Sequence, residues 1–107
     1  MQLKDWFKVT FDSKKIILNV NPPENDAWDD EIVFERIIRV CFNAQGYLQQ
    51  DEIYIFTDER PESYVIPMEA KGASDLFNEL IERKLFDAQL AIEAAAGEGL
   101  YIWPPEK

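Results

Sequence analysis

Residues 63–85 read SYVIPMEAKGASDLFNELIERKL, and the fold class turns on them. Ser63 to Met68 are rich in β-branched and aromatic types, which fits a strand. Pro67 marks a strand end or a sheet edge, because it lacks a donor. The period then changes. Leu76, Phe77, Leu80, Ile81 and Leu85 recur at helical spacing on one face. Glu79, Glu82, Arg83 and Lys84 take the rest, with the basic pair in the last turn. Ser74 is the expected N-cap, and Asp75 sits where the helix dipole favours a negative charge. The spacing predicts a helix over 74–85, packed on a sheet through Leu76, Phe77, Leu80 and Ile81.

On the N-terminal side every periodic segment is strand-like. Residues 6–20 predict a β-hairpin: Phe7, Val9 and Phe11 alternate with Lys8 and Thr10. The polar stretch 12–15 forms the break, and Ile16, Leu18 and Val20 follow. Residues 21–30 contain Pro22 and Pro23 and are expected to be a loop. Residues 31–42 carry the strongest strand pattern, with Ile32, Phe34, Ile38, Val40 and Phe42 in one parity. Arg36 interrupts the apolar set, which predicts a kink at Glu35-Arg36. A turn is expected at 43–46, extended by Gln49, Gln50, Asp51 and Glu52. A strand follows over 53–57, then a turn at 58–62 with Pro61 setting φ. Beyond the helix, Asp87 is the expected N-cap of a second, Ala-rich helix over 88–96, closed by Gly97. Residues 100–103 form a last strand, stopped by Pro104-Pro105. Strands followed by helices imply a single α+β domain over 1–107, built on an antiparallel sheet. The expected core adds Phe7, Val9, Leu18, Phe34, Ile38, Val40, Ile55, Tyr64 and Ile66 to the helix face. Trp6 and Trp103 are expected to pack on it.

Composition narrows the function. The 107 residues hold 11 Lys+Arg against 21 Asp+Glu, a net charge of −10, with no histidine and one cysteine. So acidic a domain repels polyanions, which argues against nucleic-acid binding and against an anionic membrane surface. Lys14-Lys15 alone is too little for a lipid headgroup. No apolar run approaches the roughly 18 residues of a membrane span. Residues 1–6 include Lys4 and Asp5 and have no apolar h-region, so they do not read as a signal peptide. With the lone Cys41 unable to form an internal disulfide, the chain reads as cytoplasmic. Lack of histidine removes Ser-His-Asp and Cys-His chemistry. One cysteine cannot build a zinc site, and the four glycines form no phosphate-binding loop. The expectation is a non-enzyme with neither metal nor cofactor, and with Cys41 in a structural role.

What remains is charge pattern. Asp26, Asp29, Asp30, Glu31 and Glu35 cluster around Trp28 without one Lys or Arg among them, and lack the alternation of a calcium loop. An aromatic set among charges is a frequent protein-binding arrangement. The bland reading is a solubilising loop with Trp28 folded back on the hairpin. A second acidic group, Asp51, Glu52, Asp58, Glu59 and Glu62, lies at both ends of the expected 53–66 hairpin. Of these, Asp58, Glu59 and Glu62 are expected to join the first group.

Residues 28–85 resemble a bacterial pleckstrin-homology-like (PH-like) domain. The resemblance is carried by EIVFERIIRV at 31–40, DEIYIFT at 51–57, SYVIPM at 63–68 and the helix after them. It implies a sheet closed towards a barrel with the helix as its plug, and a binding or scaffold module. Residues 86–107 extend past that plug and the N-terminal part is short for a seven-stranded barrel, so the resemblance leaves the closure of the barrel open. Two functional classes follow: a protein-interaction module, or an acidic inhibitor of a basic enzyme such as a nuclease toxin. An enzyme working with carboxylates alone is the third and weakest.

Overall fold

The computed structural model describes residues 2–45 and 50–105. Two antiparallel sheets form the molecule. One has three strands in the order β1 (Phe7–Phe11), β2 (Lys15–Val20), β3 (Trp28–Val33). The other has four in the order β6 (Arg60–Pro67), β5 (Glu52–Thr57), β4 (Ile37–Ala44), β7 (Gly99–Trp103). Helices α1 (Ala73–Glu82) and α2 (Ala88–Ala96) lie between β6 and β7 in sequence. The fold is α+β, as expected, and the sheets do not close into a barrel.

One core joins the sheets. Phe7, Val9, Ile16, Leu18, Val20 and Ile32 supply it from the first sheet. Val40, Phe42, Ile53, Ile55 and Ile66 supply it from the second, and Leu76 and Leu80 from α1. Phe77, Ile81, Tyr64, Trp6 and Trp103 are only partly buried against it. Cys41 is buried in β4, between Tyr54 of β5 and Ile102 of β7.

Several expectations need correction. The kink at Glu35-Arg36 is a 3-10 turn over Phe34–Arg36 that carries the chain from one sheet to the other. It resets the alternation, and a register shift between Ile37 and Arg39 resets it again. Ile37 therefore turns inward and Ile38, assigned to the core above, is 57% exposed. Asn43 and Ala44 belong to β4, not to a turn, because β7 pairs with them. Gly46 and Gln49, placed in that turn, lie outside the described residues. The next turn is only Asp58-Glu59, since β6 starts at Arg60.

The helix caps differ as well. Gly72, not Ser74, precedes α1, with φ +88° and its carbonyl accepting from Leu76 N–H at 3.0 Å. A positive φ at that junction selects glycine over serine. The helix stops at Glu82, before the predicted Leu85, because Lys84 adopts φ +62°. Leu85 N–H and Phe86 N–H then both donate to Leu80 O, at 2.9 and 3.3 Å. That reversal drops Phe86 into the core, fully buried, beside Phe77 at 5.3 Å between ring centroids. Asp87 caps α2 as expected, accepting from Leu90 N–H at 2.9 Å. Gly97 follows α2 in an extended conformation, not a left-handed one.

The first hairpin is locked at its tip. The Asp12 carboxylate accepts from Lys14 N–H and Lys15 N–H at 2.8 and 2.9 Å. These bonds to the charged form hold the Asp12 carboxyl below the usual aspartate value. The stabilisation is therefore present above the ordinary aspartate range and is lost as pH falls through the lowered value. A carboxyl-detected NMR titration should place the Asp12 midpoint below that of an unstructured aspartate.

Candidate protein-interaction surface

The acidic segment expected to be a loop is largely strand. β3 begins at Trp28, not at Glu31, and pairs with the whole of β2 from Val20↔Trp28 to Lys15↔Val33. Charged residues are tolerated there because β3 is an edge strand. Alternation sorts the candidate residues by face. Trp28, Asp30 and Ile32 share the core-side face, while Asp29, Glu31 and Val33 share the outer one.

Asp29 and Glu31 are exposed and lightly held. Asp29 accepts from the Asn19 side-chain amide at 3.0 Å, and Glu31 pairs with Lys15 at 3.1 Å. Asp30 instead folds onto its own strand, accepting from Glu31 N–H at 2.9 Å. Trp28 lies edge-on to Phe7, at 6.2 Å and 83°, yet remains 45% exposed. The ring is thus partly folded back, as in the bland reading, and still presents nearly half its surface. Asp26 is exposed in the preceding loop, and Glu35 is exposed in the 3-10 turn.

Part of the second acidic group joins the first. Arg36 pairs with Asp58 at 3.4 Å, and Arg36 O accepts from Asp58 N–H at 3.0 Å. These contacts seat the β5–β6 turn beside the 3-10 turn. Glu59 and Glu62 are exposed near it. Asp51 and Glu52 fall at the far end of β5, where Asp51 accepts from Gln45 N–H and Glu52 from the Tyr54 hydroxyl. They belong to a different surface.

Sequence reasoning missed one contact near these residues. Arg60 stacks on the Tyr64 ring with its guanidinium 3.6 Å from the centroid. Burial raises the Tyr64 phenol above its ordinary value. The charge of Asp30 adds to the rise, Arg60 opposes it and Glu59 adds again. Tyr64 therefore sits within the field of carboxylates from both groups. Parity could not have found the stack, because a register shift in the β5–β6 pairing lies between Arg60 and Tyr64.

Among the described residues no three His, Cys, Asp or Glu side chains form a group that could hold a metal ion. No helix among them is long and apolar enough to cross a membrane. No protein-family model, curated protein or solved structure matches the chain.

Proposed function

We propose that this protein is a non-catalytic, cytoplasmic protein-interaction module of PH-like type whose partner is basic. The observation that carries the reading is the half-exposed Trp28 at the start of an edge strand whose other face turns Asp29 and Glu31 to solvent. Asp26, Asp30, Glu35, Asp58, Glu59 and Glu62 extend the negative field around it. A basic partner is steered towards a field of this sign. Trp28 supplies the apolar anchor that charge lacks. The net charge of −10 also favours a second reading, an acidic inhibitor that neutralises a basic enzyme such as a nuclease toxin. The two differ in the partner's own activity, which only an inhibitor abolishes.

The combined variant Asp26→Asn, Asp29→Asn and Asp30→Asn tests the surface. Asparagine keeps an acceptor for Glu31 N–H and removes three charges, so the melting temperature should hold or rise. Capture of the partner from source lysate should fall by roughly tenfold or more, the equivalent of about 1.4 kcal/mol. Association of the unaltered protein should slow sharply in 0.5 M salt, where the Debye length is about 4 Å. Undiminished capture by a folded triple variant would move the site elsewhere.

A further inference from the structure

β3 offers more than side chains. Phe34 N–H donates to Lys14 O at 2.9 Å, directly after the strand, and this fixes the phase of the ladder. Trp28, Asp30 and Ile32 then turn their backbone groups towards β2. Asp29, Glu31 and Val33 turn theirs outward, to the side where no strand pairs with β3 among the described residues. The Asp30 carboxylate on Glu31 N–H agrees with this phase, because it occupies a donor the ladder leaves over.

Two other edges are covered. The β1 edge is bonded to Lys71, through Val9 N–H to Lys71 O at 2.7 Å and Lys71 N–H to Phe7 O at 2.9 Å. The β6 edge carries Pro61 and Pro67, and Arg60 donates to the carbonyls of Glu62 and Ser63. β3 has no proline and, among the described residues, no such cover. Its protection is charge, which is selective where a proline is not. A second copy of this chain pairing antiparallel there would bring acidic side chains against one another, an unfavourable cross-strand pairing. A strand with Lys or Arg at alternate positions reverses that sign. Its cations would lie beside Asp29 and Glu31, and its intervening residues would lie on the Trp28 side.

We infer that the open edge of β3 takes up an extended basic segment of the partner as an added strand. Asp30 is the gate, since its carboxylate must yield Glu31 N–H to the incoming carbonyl. This deepens the interaction-module reading and rests on it.

The probe is a synthetic peptide of alternating Lys and Val, with a Glu-Val counterpart and an N-methylated Lys-Val version. The last keeps the charge and loses ladder donors. Binding of the Lys-Val peptide should slow exchange of the Asp29 and Val33 amides tenfold or more. The Asp30 and Ile32 amides, already turned to β2, serve as internal controls and should change little. The Glu-Val peptide should not bind, and N-methylation should weaken binding at least tenfold. The double variant Asp29→Lys and Glu31→Lys should prefer the Glu-Val peptide. Unprotected Asp29 and Val33 amides at saturation, or full affinity after N-methylation, would overturn strand addition. If that happens while the triple asparagine variant still loses its partner, the interaction reading stands and only the binding mode fails.

Discussion

Leu80→Ala should destabilise the protein by about 2–5 kcal/mol. Leu80 is fully buried on the face of α1 that covers the core. Its truncation removes transfer free energy and leaves a cavity between elements that are fixed elsewhere. The neighbours have little room to collapse, because the same residue's carbonyl terminates the helix by accepting from Leu85 and Phe86. Domains of this size are stable by roughly 5–15 kcal/mol, so the loss is a large share of the total. Urea unfolding should show a lower midpoint with an unchanged slope. Ile92→Ala, at a position 65% exposed on α2, should stay within about 0.5 kcal/mol of the parent.

Gly72→Ala should be comparably damaging for a different reason. A methyl group at Gly72 would collide with the Val9 carbonyl. Lys71, the preceding residue, laces the β6–α1 connection to β1, so the collision cannot be relieved without loosening that lacing. Overpacking of this kind costs about 1–3 kcal/mol, and the positive φ adds roughly 1–2 kcal/mol for an L residue. Gly99→Ala separates the two contributions. Gly99 also has a positive φ, but nothing lies within 4 Å of a methyl group there. Thermal unfolding of the pair should show the smaller loss at Gly99, and equal losses would remove the steric argument.

The elements that could be read from the chain were those whose period ran undisturbed. β1, β2, β5 and α1 follow from simple alternation or helical spacing, and Asp87 follows from capping chemistry. β3 was hidden because an edge strand may be charged on both faces, so Trp28-Asp29-Asp30 resembles a loop. Ile38 was misassigned because a 3-10 turn and a bulge lie within one apolar run. Parity counted across them cannot survive. Phe86 falls between two helices, and only the left-handed turn at Lys84 brings it inside. For the surface, the acidic residues were visible as neighbours in sequence. Their division into outward Asp29 and Glu31 and inward Asp30 required the strand. The Arg60–Tyr64 stack required the pairing of β6, and the separation of Asp51 and Glu52 required the length of β5.

The last strand has a consequence for synthesis. Among the described residues β7 pairs with β4 alone, across the whole stretch between residues 44 and 99. A nascent chain can fold β1 to β3 as local hairpins soon after they leave the ribosome, since adjacent strands close short loops. β4 and β5 can follow in the same way. The far side of β4 must wait until residues 99–103 have been made. During that interval Val40 to Ala44 present one unpaired edge, the kind that seeds association between chains. Until Gly99–Trp103 pairs with it, that β4 edge is where a partly folded chain is most open to association with another.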